Sequence, residues 1–294
     1  MMVKSLLNIS DLNKKDFLQI MNYANSINIM NDNCLENKNI GLIFEKNSTR
    51  TRLSFQVGIK QLSGNFIDIK LDELNLQRIE SFEDTFEIMS CYLDALVFRT
   101  TDHKKLDLAS KYFNKPIINA LSDLSHPCQA ISDIYTLSNH FQKEDDFKIV
   151  WCGDLNNVLF SLMESIELLD YSKIDIFTDK IIYEANHDNF LKSDKISYHF
   201  EFDDKILGSA DCVMTDVFNS MNDKEDKERV LSKYKVNEEL MNKTPDSAVF
   251  MHCLPAKIGS EVTNEVIKGP KSIVLEQAKN RMVAQRGIMK WLEL

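Results

Sequence analysis

"NSTRTRLSF", residues 47–55, crowds two arginines and three hydroxyl side chains into its first seven positions and then turns apolar. It follows "NIGLIF" (39–44), a run that reads as a buried strand. Its own periodicity is double. Leu53, Phe55, Val57 and Ile59 alternate as a strand does, whereas Phe55, Ile59 and Leu62 share one helix face. Ser48 suits an N-cap and the run stops at Ser63-Gly64-Asn65, so the stretch is read as a helix. Its first turn then gathers free backbone N–H groups, the positive end of the helix dipole, the hydroxyls of Ser48, Thr49 and Thr51, and the guanidinium of Arg50. At the carboxyl end of a strand, where open α/β sheets place ligands, that is a phosphate pocket. The competing reading is a capped surface helix with solvated arginines.

The same alternation runs outward in both directions. "LNKKDFLQIMNYANSI" (12–27) opens on Asn13 as a cap, with Phe17, Ile20, Met21 and Ala24 on one face. "NFIDI", "ALVFR" and "PIINAL" read as strands, with "SFEDTFEIMSCYLD" and "PCQAISDIYTLSNHF" as helices. After the polar "SNHFQKEDD" (138–146) the pattern restarts: strands at "FKIVWCGD", "KIDIFT", "CVMTDVF" and "AVFMHCL", and a helix at "NNVLFSLMESIELL". Interleaved strands and helices imply parallel sheets with right-handed crossovers. The fold class is α/β, with two domains, each a parallel sheet flanked by helices. A closing helix over 273–294, with Val274, Ala278, Met282, Met289 and Leu292 at helical spacing, returns to the first domain. The boundaries read as 1–137, completed by 273–294, and 138–272. A cleft between two such halves is the default ligand site.

Composition narrows the function classes. The 294 residues are 44% apolar, enough for a sizeable core, and carry a formal net charge of −10, which argues against general affinity for nucleic acid or anionic membrane. Six cysteines (34, 91, 128, 152, 212 and 253) form no CxxC pair, so neither a disulfide framework nor a zinc site is indicated, and a reducing compartment fits. No stretch reaches the roughly 18 apolar residues of a membrane span, and the amino terminus lacks a small-residue cleavage site. A soluble, cytoplasmic protein is expected.

Three further clusters fall at strand ends. "SHPCQ" (125–129) sets His126 and Gln129 at the mouth of a helix, where a histidine can donate to a carbonyl oxygen or simply cap. "VFRT" ends a strand on Arg99, otherwise a surface ion-pair partner. "HCLPA" (252–256) ends another on His252 and Cys253. Neighbours on an extended backbone point to opposite sides, so His252 is badly placed to deprotonate Cys253, and a thiol hydrolase is disfavoured. Cys253 is read as a polarisable wall or proton-linked partner for a ligand, the alternative being a buried structural thiol.

Taken together, "FEKNSTRTRLSF", "SHPCQ", "GDLNN", "DVFNSM" and "HCLP" resemble, in order and spacing, the motif series of the ornithine carbamoyltransferases, from the "LLNISDL" opening to the "AKNRMVAQ" helix. The aspartate-using sister enzymes share the first two kinds of motif but typically have proline where Cys253 stands. The resemblance implies transfer of the carbamoyl group of carbamoyl phosphate to the side-chain amine of L-ornithine, giving L-citrulline and phosphate, with no cofactor and no metal. It implies Ser48, Thr49, Arg50, Thr51, Arg99, His126, Gln129, Cys253, Leu254 and Arg281 around carbamoyl phosphate. It implies Asn157, Asp216, Ser220 and Met221 around ornithine, with Cys253, Arg99, His126 and Asp216 as the catalytic set. A homotrimer and a role in arginine biosynthesis are further implications. Three features depart from the family pattern: "NLQRIES" (75–81) lacks the glycines, and the glutamine at its usual place, of the family's corresponding stretch, Asn222 replaces a glycine, and Lys279 replaces an acid. Rival readings are a carbamoyltransferase for putrescine or an acetylated ornithine, a non-catalytic binding relative, and a nucleotide-dependent oxidoreductase. The last lacks the G-x-G-x-x-G spacing.

Overall fold

The computed structural model describes residues 3–28, 30–71, 80–186, 191–219 and 226–294. Most of the 75–81 stretch, together with Ser220, Met221 and Asn222, lies outside the described residues. The chain divides into two compact units, Met1–Tyr135 with Asn280–Leu294, and Thr136–Lys279.

In the first unit, α1 (Lys14–Ser26) precedes β1 (Asn39–Phe44), and α2 (Thr49–Gln61) leads to β2 (Asn65–Ile69). Then come α3 (Phe82–Tyr92), β3 (Ala95–Arg99), α4 (His103–Tyr112), β4 (Ile117–Leu121) and α5 (Pro127–Phe141). The sheet order is β2-β1-β3-β4, all parallel. β1 is buried from Ile40 to Phe44 without alternation, as a parallel strand covered on both faces must be. The ambiguous stretch is a helix: Phe55, Ile59 and Leu62 are fully buried, whereas Leu53 and Val57, which a strand would have put with Phe55, are 53% and 43% exposed. One sheet face is packed by α3 and α4 through Phe86, Met89, Leu106 and Ala109 against Ile43, Leu96, Phe98 and Ile117, each large side chain contributing ~2 kcal/mol of hydrophobic stabilisation.

The C-terminal helix, Val274–Trp291, packs its last turns on α1. A Cβ at Gly287 would lie 2.4 Å from the carbonyl oxygen of Ile20, so only glycine permits this approach. Trp291 Nε1 donates to Asp16 Oδ1 at 3.0 Å, and Lys290 pairs with Asp32. Val274, Met289 and Leu292 are buried as their spacing implies, while Ala278 and Met282 are only half-buried. Gln277, Asn280, Arg281, Gln285 and Arg286 are buried in the same helix. It is therefore more polar inside than an apolar stripe suggests.

In the second unit β5 (Lys148–Cys152), α6 (Asn157–Leu168), β6 (Lys173–Phe177), α7 (Lys180–Asn186), β7 (Ile196–His199), β8 (Cys212–Thr215) and β9 (Val249–His252) form a parallel sheet of order β7-β6-β5-β8-β9. Strand β7 and helix α4 escape the sequence pattern: β7 is a four-residue edge strand, and α4 buries only His103, Leu106 and Ala109 among lysines. β8 and β9 end at Thr215 and His252, shorter than "CVMTDVF" and "AVFMHCL" imply, because Asp216 and Cys253 leave the ladder. No helix among the described residues is long and apolar enough to cross a membrane.

Candidate active site

Each sheet has one point where the strand order reverses, and each reversal collects polar side chains. In the first unit it lies between β1 and β3. Ser48 occupies the N-cap position of α2, but its hydroxyl makes no cap; it accepts a hydrogen bond from Arg99 Nη1 at 3.1 Å. Capping residue type was therefore a correct signal for the helix start and an incorrect one for the hydroxyl's partner. Thr51 is buried, while Thr49 and Arg50 are exposed on the first turn of α2. The amides of that turn have no intrahelical acceptor, which makes the turn attractive to an anion.

Glu45, which sequence reading passed over, fixes the geometry here. Its Oε2 accepts from Thr100 Oγ1 (2.6 Å) and the Thr101 amide (2.8 Å), its Oε1 from Lys105 Nζ (2.5 Å), and its own amide donates to the Arg99 carbonyl. Burial pushes this carboxyl up, but the hydrogen bonds from Lys105 and Thr100 outweigh it and hold Glu45 below the usual range. The ends of β1 and β3 are thereby tied together, and with them Ser48 and Arg99.

α5 and the C-terminal helix supply the rest of this cluster. His126 is buried beside the helix start that Pro127 opens, a favoured position for proline. Its imidazole is held well below its ordinary pKa, first by burial and then by the charges of Arg281 and Arg99, so it is neutral at pH 7. Gln129 Nε2 donates to Asp133 Oδ1 at 2.7 Å, and Arg281 Nη2 donates to Gln129 Oε1. Asp133, four residues along the same helix face, fixes the orientation of the Gln129 amide. Cys128, between these residues, has its thiol pushed up to about 12 by burial and is chemically inert.

In the second unit the reversal lies between β5 and β8. Asn156 is the N-cap of α6, its Oδ1 accepting from the amides of Val158 and Leu159 at 3.1 Å each. Its Nδ2 donates to Asp216 Oδ2 at 2.9 Å, and Cys253 Sγ donates to Asp216 Oδ1 at 3.1 Å. Asn156, which sequence reading passed over, thus orients Asp216, and Asn157 follows it half-buried as the first residue of α6. Gly153, at φ +125°, allows the turn before Asn156; a Cβ there would sit 2.8 Å from the Phe218 ring.

Asp216, His252 and Cys253 bring a carboxylate oxygen, a ring nitrogen and a sulfur within 4.8 Å of one another. His252, however, has both ring nitrogens engaged: Nδ1 accepts from the Leu254 amide at 2.9 Å and Nε2 donates to Glu261 Oε1 at 3.2 Å. The trio therefore offers a thiol and a carboxylate, without a metal-ligating imidazole. For the same reason His252 is no base for Cys253. Leu254, at φ 57°, follows in the same turn. Ser48, Thr49, Arg50, Thr51, Arg99, His126, Gln129 and Arg281 thus belong to the first unit, and Asn157, Asp216, Cys253 and Leu254 to the second. The first set can hold a phosphate beside an uncharged imidazole donor. The second presents a carboxylate to a cationic group.

Two family models match the chain: the aspartate/ornithine carbamoyltransferase carbamoyl-P binding domain over residues 4–139, and the aspartate/ornithine carbamoyltransferase Asp/Orn binding domain over 145–292. An ornithine carbamoyltransferase of Agrobacterium fabrum is 38% identical over 301 aligned residues, covering 98% of this chain and 97% of the relative. Among solved structures, an ornithine carbamoyltransferase from Pyrococcus furiosus is 33% identical with a TM-score of 0.86, covering 98% of this chain and 96% of that one. The anabolic ornithine carbamoyltransferase from Campylobacter jejuni is 29% identical with a TM-score of 0.86, covering 98% and 99%.

Proposed function

The chain belongs to the aspartate/ornithine carbamoyltransferase family, and from that premise we propose that it transfers the carbamoyl group of carbamoyl phosphate to the side-chain amine of L-ornithine, releasing L-citrulline and phosphate. In this reading residues 1–137 with 273–294 serve carbamoyl phosphate and 138–272 serve ornithine. Ser48, Thr49, Arg50 and Thr51 take the phosphate with the first-turn amides of α2. Arg99, His126, Gln129 and Arg281 surround the carbamoyl group. Asp216, with Asn157, Ser220 and Met221, takes ornithine, and Cys253 and Leu254 line the reacting end.

Ornithine's side-chain amine is lysine-like, with an ordinary pKa near ~10.4, so it must shed a proton before it attacks. Its nucleophilic form adds to the carbamoyl carbon and generates an oxyanion. Arg99, His126 and Thr51 meet that oxyanion as preorganised donors. A neutral His126 donates its N–H without protonating the carbonyl oxygen outright. The intermediate then collapses: the bond from the carbamoyl carbon to the phosphate oxygen breaks, that oxygen takes one proton from the attacking nitrogen, and phosphate departs into the arginines. Orientation of the two substrates supplies much of the rate.

The observation that carries the choice of amine is the Cys253–Asp216 pair, oriented by Asn156. A carboxylate at that point attracts an ammonium group and repels the side-chain carboxylate of the aspartate used by the sister enzymes. A colorimetric citrulline assay across ornithine, putrescine, N-acetylornithine and aspartate tests the reading: ornithine is expected to be used, and absence of citrulline from ornithine overturns it. The reading extends to arginine biosynthesis, supported by the anabolic relative from C. jejuni, to a cytoplasmic location, supported by the free cysteines, and to a homotrimer. Gel filtration at about three times the chain mass of 34.0 kDa is the expected outcome for the last.

A further inference from the structure

The turn that carries Cys253 is held from behind by a carboxylate without an assigned role. Glu261 is fully buried, nine residues beyond His252. Its Oε1 accepts from His252 Nε2 at 3.2 Å and from the Lys257 amide at 2.5 Å, while its Oε2 finds no hydrogen-bond partner among the described residues. A buried carboxylate with one oxygen unsatisfied is costly, and a leucine of similar volume would avoid that cost. Its presence there calls for a compensating role. The backbone of Glu261 is itself pinned, its carbonyl accepting from the Val236 amide at 2.9 Å, so the carboxylate is presented from a fixed point.

What the carboxylate controls is a tautomer. The Leu254 amide donates to His252 Nδ1, which must therefore be unprotonated, so the imidazole proton sits on Nε2 and points at Glu261. In the other tautomer Nδ1–H would face the Leu254 N–H, two donors head to head, and the bond would be lost. That bond spans a turn in which Leu254 sits at φ 57°, a region a leucine leaves when nothing holds it. Gln277 Oε1 secures the same turn from the other side by accepting the His252 amide at 2.9 Å. Cys253 lies between the two held residues, its Sγ 3.1 Å from Asp216 Oδ1.

We propose that Glu261 is a positioning residue for the transfer reaction: by holding His252 as the Nε2–H tautomer it fixes the Leu254 amide, and so the turn that sets Cys253 against Asp216. The inference rests on the carbamoyl-transfer reading for its kinetic consequence and on geometry alone for the tautomer. Glu261→Leu removes the acceptor, whereas Glu261→Gln keeps an oxygen at the Oε1 position. Glu261→Leu is expected to lower kcat/KM for ornithine by roughly thirty- to a hundredfold, the scale of a ~1 Å misplacement. The KM for carbamoyl phosphate should rise less than the KM for ornithine, because its proposed phosphate ligands Ser48, Thr49, Arg50 and Thr51 lie at the start of α2 and only Cys253 and Leu254, at its carbamoyl end, belong to this turn, and Glu261→Gln should recover most of the loss.

His252→Asn provides the second arm, since asparagine Oδ1 can accept the Leu254 amide with no tautomer to select. In that background Glu261→Leu should add less than about threefold. An unchanged kcat/KM in Glu261→Leu, an equal loss in both substrates, or a full loss persisting in the His252→Asn background overturns the proposal. If Glu261→Leu fails to fold, Glu261→Met, which also lacks the acceptor, takes its place alone and in the His252→Asn background with the same expected and overturning results. Nitrogen NMR of the His252 ring in the full chain gives a readout independent of turnover. Unprotonated Nδ1 is expected in the wild type, and a protonated Nδ1 there refutes the mechanism. A wild-type chain that makes no citrulline defeats the functional reading alone, and the ring signals still decide the hold of Glu261.

Discussion

Asn156 performs two tasks with two different atoms, and replacing it with aspartate separates them. Oδ1 caps α6 through two amides, and Nδ2 orients Asp216. Asn156→Ala loses both: the cap is worth ~1 kcal/mol, and the charge-assisted bond to a carboxylate that is only 8% exposed adds ~1.5–3. A loss of about 2.5–4 kcal/mol in unfolding free energy follows. Asn156→Asp keeps the cap, since aspartate and asparagine cap equally well, but sets a second carboxylate at hydrogen-bond distance from Asp216. Two charges ~3 Å apart repel by about 5 kcal/mol at an effective dielectric of 20, and the pair relieves this by binding a proton, which raises its apparent pKa above the ordinary ~3.9. The native state then holds more protons than the unfolded state between the unfolded value and the raised one, so stability is present at low pH and lost as pH rises through that window. Urea unfolding at pH 5 and pH 8 should therefore show a variant close to wild type in acid and distinctly weaker in base. Its kcat/KM for ornithine at pH 8 should fall at least tenfold. Equal midpoints relative to wild type at both pH values, with activity intact, would refute the Asn156–Asp216 contact and the role given to it.

Other perturbations follow from the same geometry. Arg50→Ala should abolish binding of a phosphate ligand by calorimetry while leaving the thermal midpoint within a degree or two, because Arg50 is exposed; unchanged affinity contradicts its placement. His126 is neutral when folded and ordinary when unfolded, so the unfolded state binds a proton that the native state refuses below about pH 6.5, and stability should drop by ~1.4 kcal/mol per pH unit there. His126→Gln should remove that component, as paired denaturation curves at pH 5.5 and 7.5 can measure. Gly153→Ala forces a side chain into a left-handed φ and against Phe218, two residues from Asp216; a loss of ~2 kcal/mol or more with impaired ornithine use is expected, and a neutral result argues against the tight turn.

Sequence pattern carried most of the first-order architecture for identifiable reasons. The runs "ALVFR" and "PCQAISDIYTLSNHF" coincide with β3 and α5, because continuous apolar residues mark a doubly covered strand and Pro127 marks a helix start. β7 and α4 carry too little apolar signal to stand out. At the candidate site, side-chain chemistry was legible and pairing was not. Ser48 announces a cap, yet its hydroxyl is claimed by an arginine fifty-one positions later. Asn156 and Asn157 differ only in which one lies outside the first helical turn. Asp133 was readable in principle, since four residues separate it from Gln129 on one helix. Glu261 was not: nothing in "LPAKIGSEV" foretells that its carboxylate returns to His252.

An acidic chain that is to hold a phosphate must make its positive potential locally, and His126 reports how that is done. A buried histidine already loses basicity to desolvation, but here the Arg281 and Arg99 charges depress it further, from α5's neighbour helix and from the end of β3. The field that keeps a proton off this imidazole is the field that favours a dianion, because both respond to the sign of the same potential. The structure builds that potential from parts far apart in sequence and locks each in place. Glu45 ties the strand that ends on Arg99 to the one that leads into α2, and Asp133 sets the amide that receives Arg281. The overall charge of −10 then does not oppose phosphate binding, because the charges outside this cluster act through water and salt, with a screening length of about 8 Å at physiological ionic strength. The arginines at the switch point act at contact distance in a drier place.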